Sequence, residues 1–188
     1  MGGFKSTPRG FELNGKPFFL NSGEIHYFRI KATDWEKHFD ALLASGCNTV
    51  STYICWSFHE TAEGKFDFTG KTLKERNILG FLDLAAKKGL YITVKPGPYI
   101  LAEYLDQGIP SWFINKHPEV QVMDADGNYN IPYVASYMHP AYLKYGLKWY
   151  DKILPEIAKR QISRGGKIIL MQVNGNTDTK SFLFPKLP

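Results

Sequence analysis

The stretch that decides the fold is Thr33-Asp34-Trp35-Glu36-Lys37-His38-Phe39-Asp40-Ala41-Leu42-Leu43-Ala44-Ser45-Gly46-Cys47-Asn48-Thr49-Val50-Ser51-Thr52-Tyr53-Ile54. Thr33 and Glu36 stand at capping-box spacing, which opens a helix by satisfying its first free amides. Phe39, Leu42 and Leu43 form one face of that helix, and Ser45-Gly46 ends it. A β-rich strand follows at once, Asn48 to Ile54. On the N-terminal side, Phe11-Glu12-Leu13-Asn14-Gly15-Lys16-Pro17-Phe18 carries the Asn-Gly of a type I′ hairpin. Phe18-Phe19-Leu20 then leads a first strand into Ser22-Gly23-Glu24-Ile25-His26. Strand, helix, strand is a βαβ unit.

The unit repeats downstream. A second helix is predicted from Leu73 to Lys88, stopped by Gly89, and Leu90-Tyr91-Ile92-Thr93-Val94 is a third strand with the continuous apolar pattern of a buried parallel sheet. A segment dense in Pro, Gly and aromatics runs from Pro96 to Tyr137, with a short helix expected at Ser111 to His117. From Pro140, Leu143, Leu147, Tyr150, Leu154 and Ile157 recur at helical spacing, and Pro155 predicts a kink. After Gly165-Gly166, Lys167 to Val173 is a fourth strand. Alternation of this kind predicts an α/β fold with parallel strands and right-handed crossovers. No Gly-x-Gly-x-x-Gly follows any strand, so the dinucleotide-binding version has no support. A closed eight-stranded barrel takes about 250 residues, and the 188 residues here hold about four units. The expected architecture is the first half of a (β/α)8 TIM barrel with an N-terminal β-hairpin, residues 1–173, followed by a divergent tail, 174–188.

Composition narrows the function. Hydrophobic residues are 44% and charged residues 22%, ordinary for a globular chain, while the aromatic share of 15% is high. The net charge of +5 comes without a basic block, so nucleic acid is not an expected partner. Cys47 and Cys55 flank one strand. At roughly 3.3 Å per residue an extended segment holds them too far apart to bridge, and no metal site or cofactor is expected. No segment has the length of a signal peptide core or a membrane span, so a cytoplasmic location is expected for the chain as it stands.

In a barrel, chemistry gathers where strands end. Those positions are Glu24 and His26 after the first strand, Tyr53, Trp56, His59 and Glu60 after the second, Tyr99 and Glu103 after the third, and Asn174 to Asn176 after the fourth. Rings to stack on and carboxylates to hold hydroxyls suit a sugar. The same residues read equally as structural: Glu24, His26 and Arg29 as groups pairing with one another, Trp56 and Tyr99 as core anchors, Glu103 as a solvated carboxylate. His59-Glu60 lacks the second histidine of a metalloprotease helix, which has Glu63 instead.

Three longer stretches resemble the family 35 glycoside hydrolases, which are retaining β-galactosidases. They are Ser22 to Arg29 (SGEIHYFR), Asn48 to Glu60 (NTVSTYICWSFHE) and Lys95 to Tyr104 (KPGPYILAEY). Phe66-Asp67-Phe68 and Gly108-Ile109-Pro110-Ser111-Trp112 match the same pattern in order and spacing. The resemblance implies that Tyr53 contacts the sugar in the −1 subsite, and that Leu101, Ala102 and Glu103 line the pocket, with Glu103 accepting from sugar hydroxyls. The first of that triplet is commonly Cys or Asn in the family, so Leu101 removes a polar contact. Glu24, His26, Trp56, Glu60 and Tyr99 are further rim candidates, and a galactose-type sugar is the expected ligand.

The family's fourth strand runs into Gln-Val-Glu-Asn-Glu-Tyr-Gly. Here Gln172-Val173 is followed by Asn174-Gly175-Asn176-Thr177-Asp178. The acid/base position therefore falls on Asn176 and its partner on Gly175. Retention needs two carboxyl groups about 5 Å apart, and an amide cannot deliver the proton. The nucleophile belongs to a later strand. Codons for Glu-Tyr-Gly, read one base later, can encode Asn-Thr-Asp, so the tail is expected to be frameshifted. The expected consequences are a catalytically inactive chain, self-association through open strand edges, or a need for a complementary C-terminal half. A non-catalytic galactose-binding remnant is the alternative.

Overall fold

The computed structural model describes residues 3–122, 126 and 135–173. An antiparallel sheet opens the chain: β1 (Phe4–Thr7), β2 (Gly10–Leu13) and β3 (Lys16–Phe18), with β2 and β3 joined across Asn14 and Gly15, both at positive φ. The first predicted parallel strand is split from it. β3 ends at Phe18, Phe19 is 83% exposed, and β4 (Ser22–Glu24) begins a second sheet.

That second sheet is parallel and has four strands in the order β4, β5 (Thr49–Tyr53), β8 (Tyr91–Lys95), β9 (Ile168–Met171). A two-stranded ribbon, β6 (Glu60–Ala62) with β7 (Lys65–Phe66), follows the one-turn helix α2 (Trp56–His59). Helices α1 (Trp35–Ala44), α3 (Ile78–Lys87) and α5 (Pro140–Lys159) make the crossovers, and α4 (Ser111–Lys116) lies in the long connection after β8. The chain is an α/β fold with neighbouring strands in sequence order. Register aligns Glu24 with Ser51 and Thr93, and Tyr53 with Lys95, so these side chains share one face.

The other face packs against the helices. Trp35 and Phe39 of α1, Ile78, Phe81, Leu82 and Ala85 of α3, and Val50, Ile92 and Val94 of the sheet are all buried. On β8 burial alternates: Ile92 and Val94 are closed off while Tyr91, Thr93 and Lys95 stay half-open. The expected both-face burial of this strand does not hold.

Helix ends and faces depart from expectation where tertiary contacts compete with local pattern. Thr33 lies in a 3₁₀ turn (Ala32–Asp34), and no side chain caps α1. The helix starts instead at Trp35, whose ring packs edge-on to Tyr27 and Phe81 and whose indole donates to Tyr27 O at 3.3 Å. The second helix begins at Ile78 rather than Leu73, because Asn77 accepts from Gly80 N at 2.9 Å and so takes the N-cap. Asn77→Ala is expected to cost about 1 kcal/mol, read from the urea midpoint. A loss below a few tenths would show that the cap is redundant.

On α5 the predicted seam holds at Ile157, with Tyr150 and Leu154 packed against the core, and fails in the first turns. Leu143 and Leu147 are 46% and 59% exposed, and the buried face is Tyr142, Tyr145, Gly146, Trp149, Ile153 and Ile157. Both stripes fit the helical period. The aromatic stripe buries more area, and Gly146 lets the helix approach Pro98, whose Cγ would lie 3.2 Å from any added Cβ. Pro155 sits inside α5 without ending it. The described helices include none long and apolar enough to cross a membrane.

Candidate functional site

Three strand ends bring one cluster together. Glu24 at the end of β4 accepts from Lys95 Nζ at the end of β8, from Ser51 Oγ of β5 at 3.2 Å, and lies 3.4 Å from His26 Nε2. Partial desolvation raises the Glu24 carboxyl, but Lys95, His26 and Ser51 outweigh it and hold it below its ordinary value. Desolvation lowers His26, aided by Arg29 and Lys95 against Glu24, so the imidazole is neutral at pH 7. Its Nδ1 is buried with no protein partner among the described residues. The ring stacks on Phe28 at 5.3 Å and tilts toward Tyr53 at 5.4 Å, and Lys95 Nζ stands 4.5 Å above the Tyr53 ring. Tyr53 is therefore fixed from two sides. Lys95→Met is expected to raise the Glu24 carboxyl toward its ordinary value, read by carboxyl NMR titration. An unchanged titration would remove Lys95 as the dominant partner.

The loop after β8 supplies the other wall. Leu101, Ala102 and Glu103 all adopt left-handed backbone, φ 54, 46 and 45. For residues with a Cβ this conformation costs about 1 kcal/mol each, so the surroundings must hold it. Arg29 Nη2 donates to Ala102 O and, at 3.3 Å, to Glu103 O. Tyr104 N bonds Leu101 O at 2.9 Å, and Ile100 N bonds Gln107 O at 3.0 Å. Behind the loop, Gly108 sits at φ 86 where a Cβ would meet Ile100 Cγ1 at 2.6 Å. Trp149 Nε1 clamps Pro96 O at 2.6 Å, and Tyr150 donates to Gly97 O. The Glu103 side chain is exposed, and no described residue donates to its carboxylate.

Several expected rim residues are elsewhere. Trp56 has no exposed surface. Its ring stacks on Trp149 at 6.5 Å, and its Nε1 donates to Glu60 Oε2 at 2.5 Å. Glu60, 5% exposed, is further bonded to Gly64 N at 2.7 Å. Tyr99, 8% exposed, packs edge-on to Tyr137. These three are core and turn anchors, drawn inward because the aromatic layer between α2, α4 and α5 is larger than the spacing of single residues discloses. His59 is equally closed: Nε2 meets Tyr27 Oη at 2.5 Å and Nδ1 meets Asp67 O at 2.6 Å. Gly175 and Asn176 lie outside the described residues. Lys95 and the grip of Arg29 on the loop are what sequence reasoning missed. The available signal was a lysine leaving an apolar strand directly after Val94, a place where burial demands a partner.

The 10–181 segment matches the model of glycosyl hydrolases family 35. The chain belongs to glycosyl hydrolase family 35. The family's match continues into the segment 174–188 that the sequence reading set apart. A β-1,2-glucosyltransferase of Ignavibacterium album is 47% identical over 169 residues, covering 89% of this chain and 24% of the relative. An exo-β-D-glucosaminidase of Pyrococcus horikoshii is 41% identical over 169 residues, 88% of this chain and 22% of the relative. A mouse β-galactosidase is 34% identical over 163 residues, 87% of this chain and 22% of the relative. The chain thus spans about a quarter of the length of the relatives it matches. Family 35 membership places the chain in a TIM-barrel family.

Proposed function

We propose that residues 1–173 form the sugar-holding half of a retaining β-glycoside-processing (β/α)8 domain. In this reading Tyr53 and the triplet Leu101, Ala102 and Glu103 grip the terminal sugar in the −1 subsite. The observation that carries it is the Glu103 carboxylate, without a hydrogen-bond donor among the described residues, on a left-handed loop whose backbone carbonyls Arg29 holds beside the ends of three parallel strands. An acceptor group kept free at such strain cost is placed for a ligand. Glu24, His26 and Lys95 act beneath the site by fixing Tyr53.

The family resemblance assigns terminal β-galactosides. A second reading, a gluco-configured sugar, is favoured by Leu101, which stands 37% exposed where the family commonly has Cys or Asn. Galactose and glucose differ in whether the 4-hydroxyl is axial or equatorial, and an apolar side chain withdraws a bond from one face of the ring. The names of the glucosyltransferase and glucosaminidase relatives support the same direction.

In this reading the acid/base position falls on Asn176, whose amide cannot deliver the proton, so this stretch binds a sugar without supplying general acid help. Among the described residues β4 pairs with β5 alone, and β9 meets, besides β8, a single bridge at Gln161; the half-open face of β8 is the one a closed barrel would cover. A complementary half or a second copy would fill it. Calorimetry with galactose, glucose and glucosamine tests the reading. Heat of binding for one of them, abolished in Glu103→Ala, is expected; equal heats for wild type and variant would remove Glu103 and the −1 assignment together.

A further inference from the structure

The half-buried ring of Phe28 touches both walls of the strand-end site. Toward the strands, the His26 imidazole lies parallel to it at 5.3 Å, with 4° between the planes, and that imidazole in turn tilts toward Tyr53 at 5.4 Å. Toward the loop, Tyr104 meets Phe28 edge-on at 5.2 Å, and the Arg29 guanidinium carbon lies 5.7 Å from the Phe28 centroid. Tyr104 N closes on Leu101 O, and Arg29 holds Ala102 O and Glu103 O. The left-handed triplet is thus gripped by two partners of one ring. The cause is local: Tyr27–Arg29 is a single 3₁₀ turn that begins directly after His26. One short stretch therefore reaches Tyr53 through His26 and the loop through Phe28 and Arg29.

A side chain that only filled space would tolerate any apolar group of similar size. The contacts of Phe28 ask for more than volume: a parallel imidazole, an edge-on phenol and a nearby cation all depend on an aromatic face. We propose that Phe28 is a positioning residue of the sugar site. Its ring sets Tyr53, through His26, against Glu103, through Tyr104 and Arg29, so that the two groups meet one sugar ring at a fixed spacing. The proposal rests on the −1 reading and adds to it a residue that acts through others.

The test compares Phe28→Leu, which keeps the apolar bulk, with Phe28→Tyr, which keeps the ring, in the 188-residue chain. Correlation NMR without sugar follows the Leu101 to Glu103 amides and the Tyr53 ring, and calorimetry follows galactose, glucose and glucosamine. Phe28→Leu should shift both sets of signals and weaken the sugar that binds by about fivefold. Phe28→Tyr should restore the signals and the affinity. Arg29→Lys, which changes only the loop side of Phe28, should move the Tyr53 ring signals along with the loop amides. Loop shifts beside an unmoved Tyr53 ring in either Phe28→Leu or Arg29→Lys, or wild-type affinity in Phe28→Leu, would overturn the positioning role and leave the −1 reading standing. No heat with any sugar for the wild type would overturn both together.

Discussion

Between pH 7 and pH 4 the fold is expected to lose about 3 kcal/mol through one side chain, His59. Burial drives its imidazole down from 6.5 to about 4, against the opposing bond from Asp67 O and the nearby Asp67 charge. A carbonyl only accepts, so Nδ1 carries the proton and Nε2 accepts from the Tyr27 hydroxyl. The charged form would keep both partners, since the Tyr27 hydroxyl can also accept, so what disfavours it is the burial itself. The unfolded chain takes up a proton near 6.5, the folded one only near 4. Stability from this group is therefore full above 6.5 and falls progressively as the pH drops to about 4; below that the folded state is protonated too and the loss stops. His26 is lowered in the same sense but is more exposed and adds less. Asp67, whose carboxylate collects the amides of Thr69, Gly70, Lys71 and Thr72 and is held well below its usual range, contributes only at lower pH. Urea unfolding of wild type and His59→Gln across this range separates them. The variant should be less stable at pH 7 and nearly flat between 6.5 and 4; a slope equal to wild type would assign the acid sensitivity elsewhere.

Trp149→Ala should cost about 4 kcal/mol, within the range for emptying a large aromatic from a core. The side chain is fully buried among Trp56, His59, Phe66 and Phe68, and its indole holds Pro96 O at the mouth of the functional loop. Removal leaves a cavity and an orphaned carbonyl at once. Since small domains are stable by only about 5–15 kcal/mol, the variant should stand at the edge of unfolding at 25 °C. Trp149→Phe, which keeps most of the volume and loses the donor, should cost roughly half as much. Denaturation midpoints measured at one protein concentration decide it. A cost under about 1 kcal/mol for the alanine variant would mean that the aromatic layer repacks freely and that the loop is not anchored from below.

Much of the fold is legible in the sequence because strands such as Thr49–Tyr53 and Tyr91–Lys95 are β-rich runs bounded by Gly46, Gly89 and Pro96. What local pattern cannot resolve is the choice between two stripes on one helix. Leu143 and Leu147 fit the period as well as Tyr142, Tyr145 and Trp149 do, and the partner surface, here Pro98 and the α4 aromatics, makes the choice. The same holds for helix starts, where Asn77 and the packing of Trp35 override better-looking caps. At the site, the strand-end rule located Glu24, His26 and Tyr53, since chain order alone puts them at one edge. It could not separate them from Trp56, Glu60 and Tyr99, whose burial depends on α2, α4 and α5 closing over them. Nor could it find the clamp of Arg29 on the 101–103 loop, a contact across more than seventy residues with no local trace.

On the proposed reading, Asn176 stands where the proton donor belongs, and residues 1–188 bind a sugar without cleaving it. Incubating the purified chain with nitrophenyl β-galactoside, β-glucoside and β-glucosaminide measures it directly. The expected result is no nitrophenol above the rate of an unrelated protein, together with heat of binding on sugar titration. Sustained release that scales with the amount of chain and disappears in Glu103→Ala would contradict it.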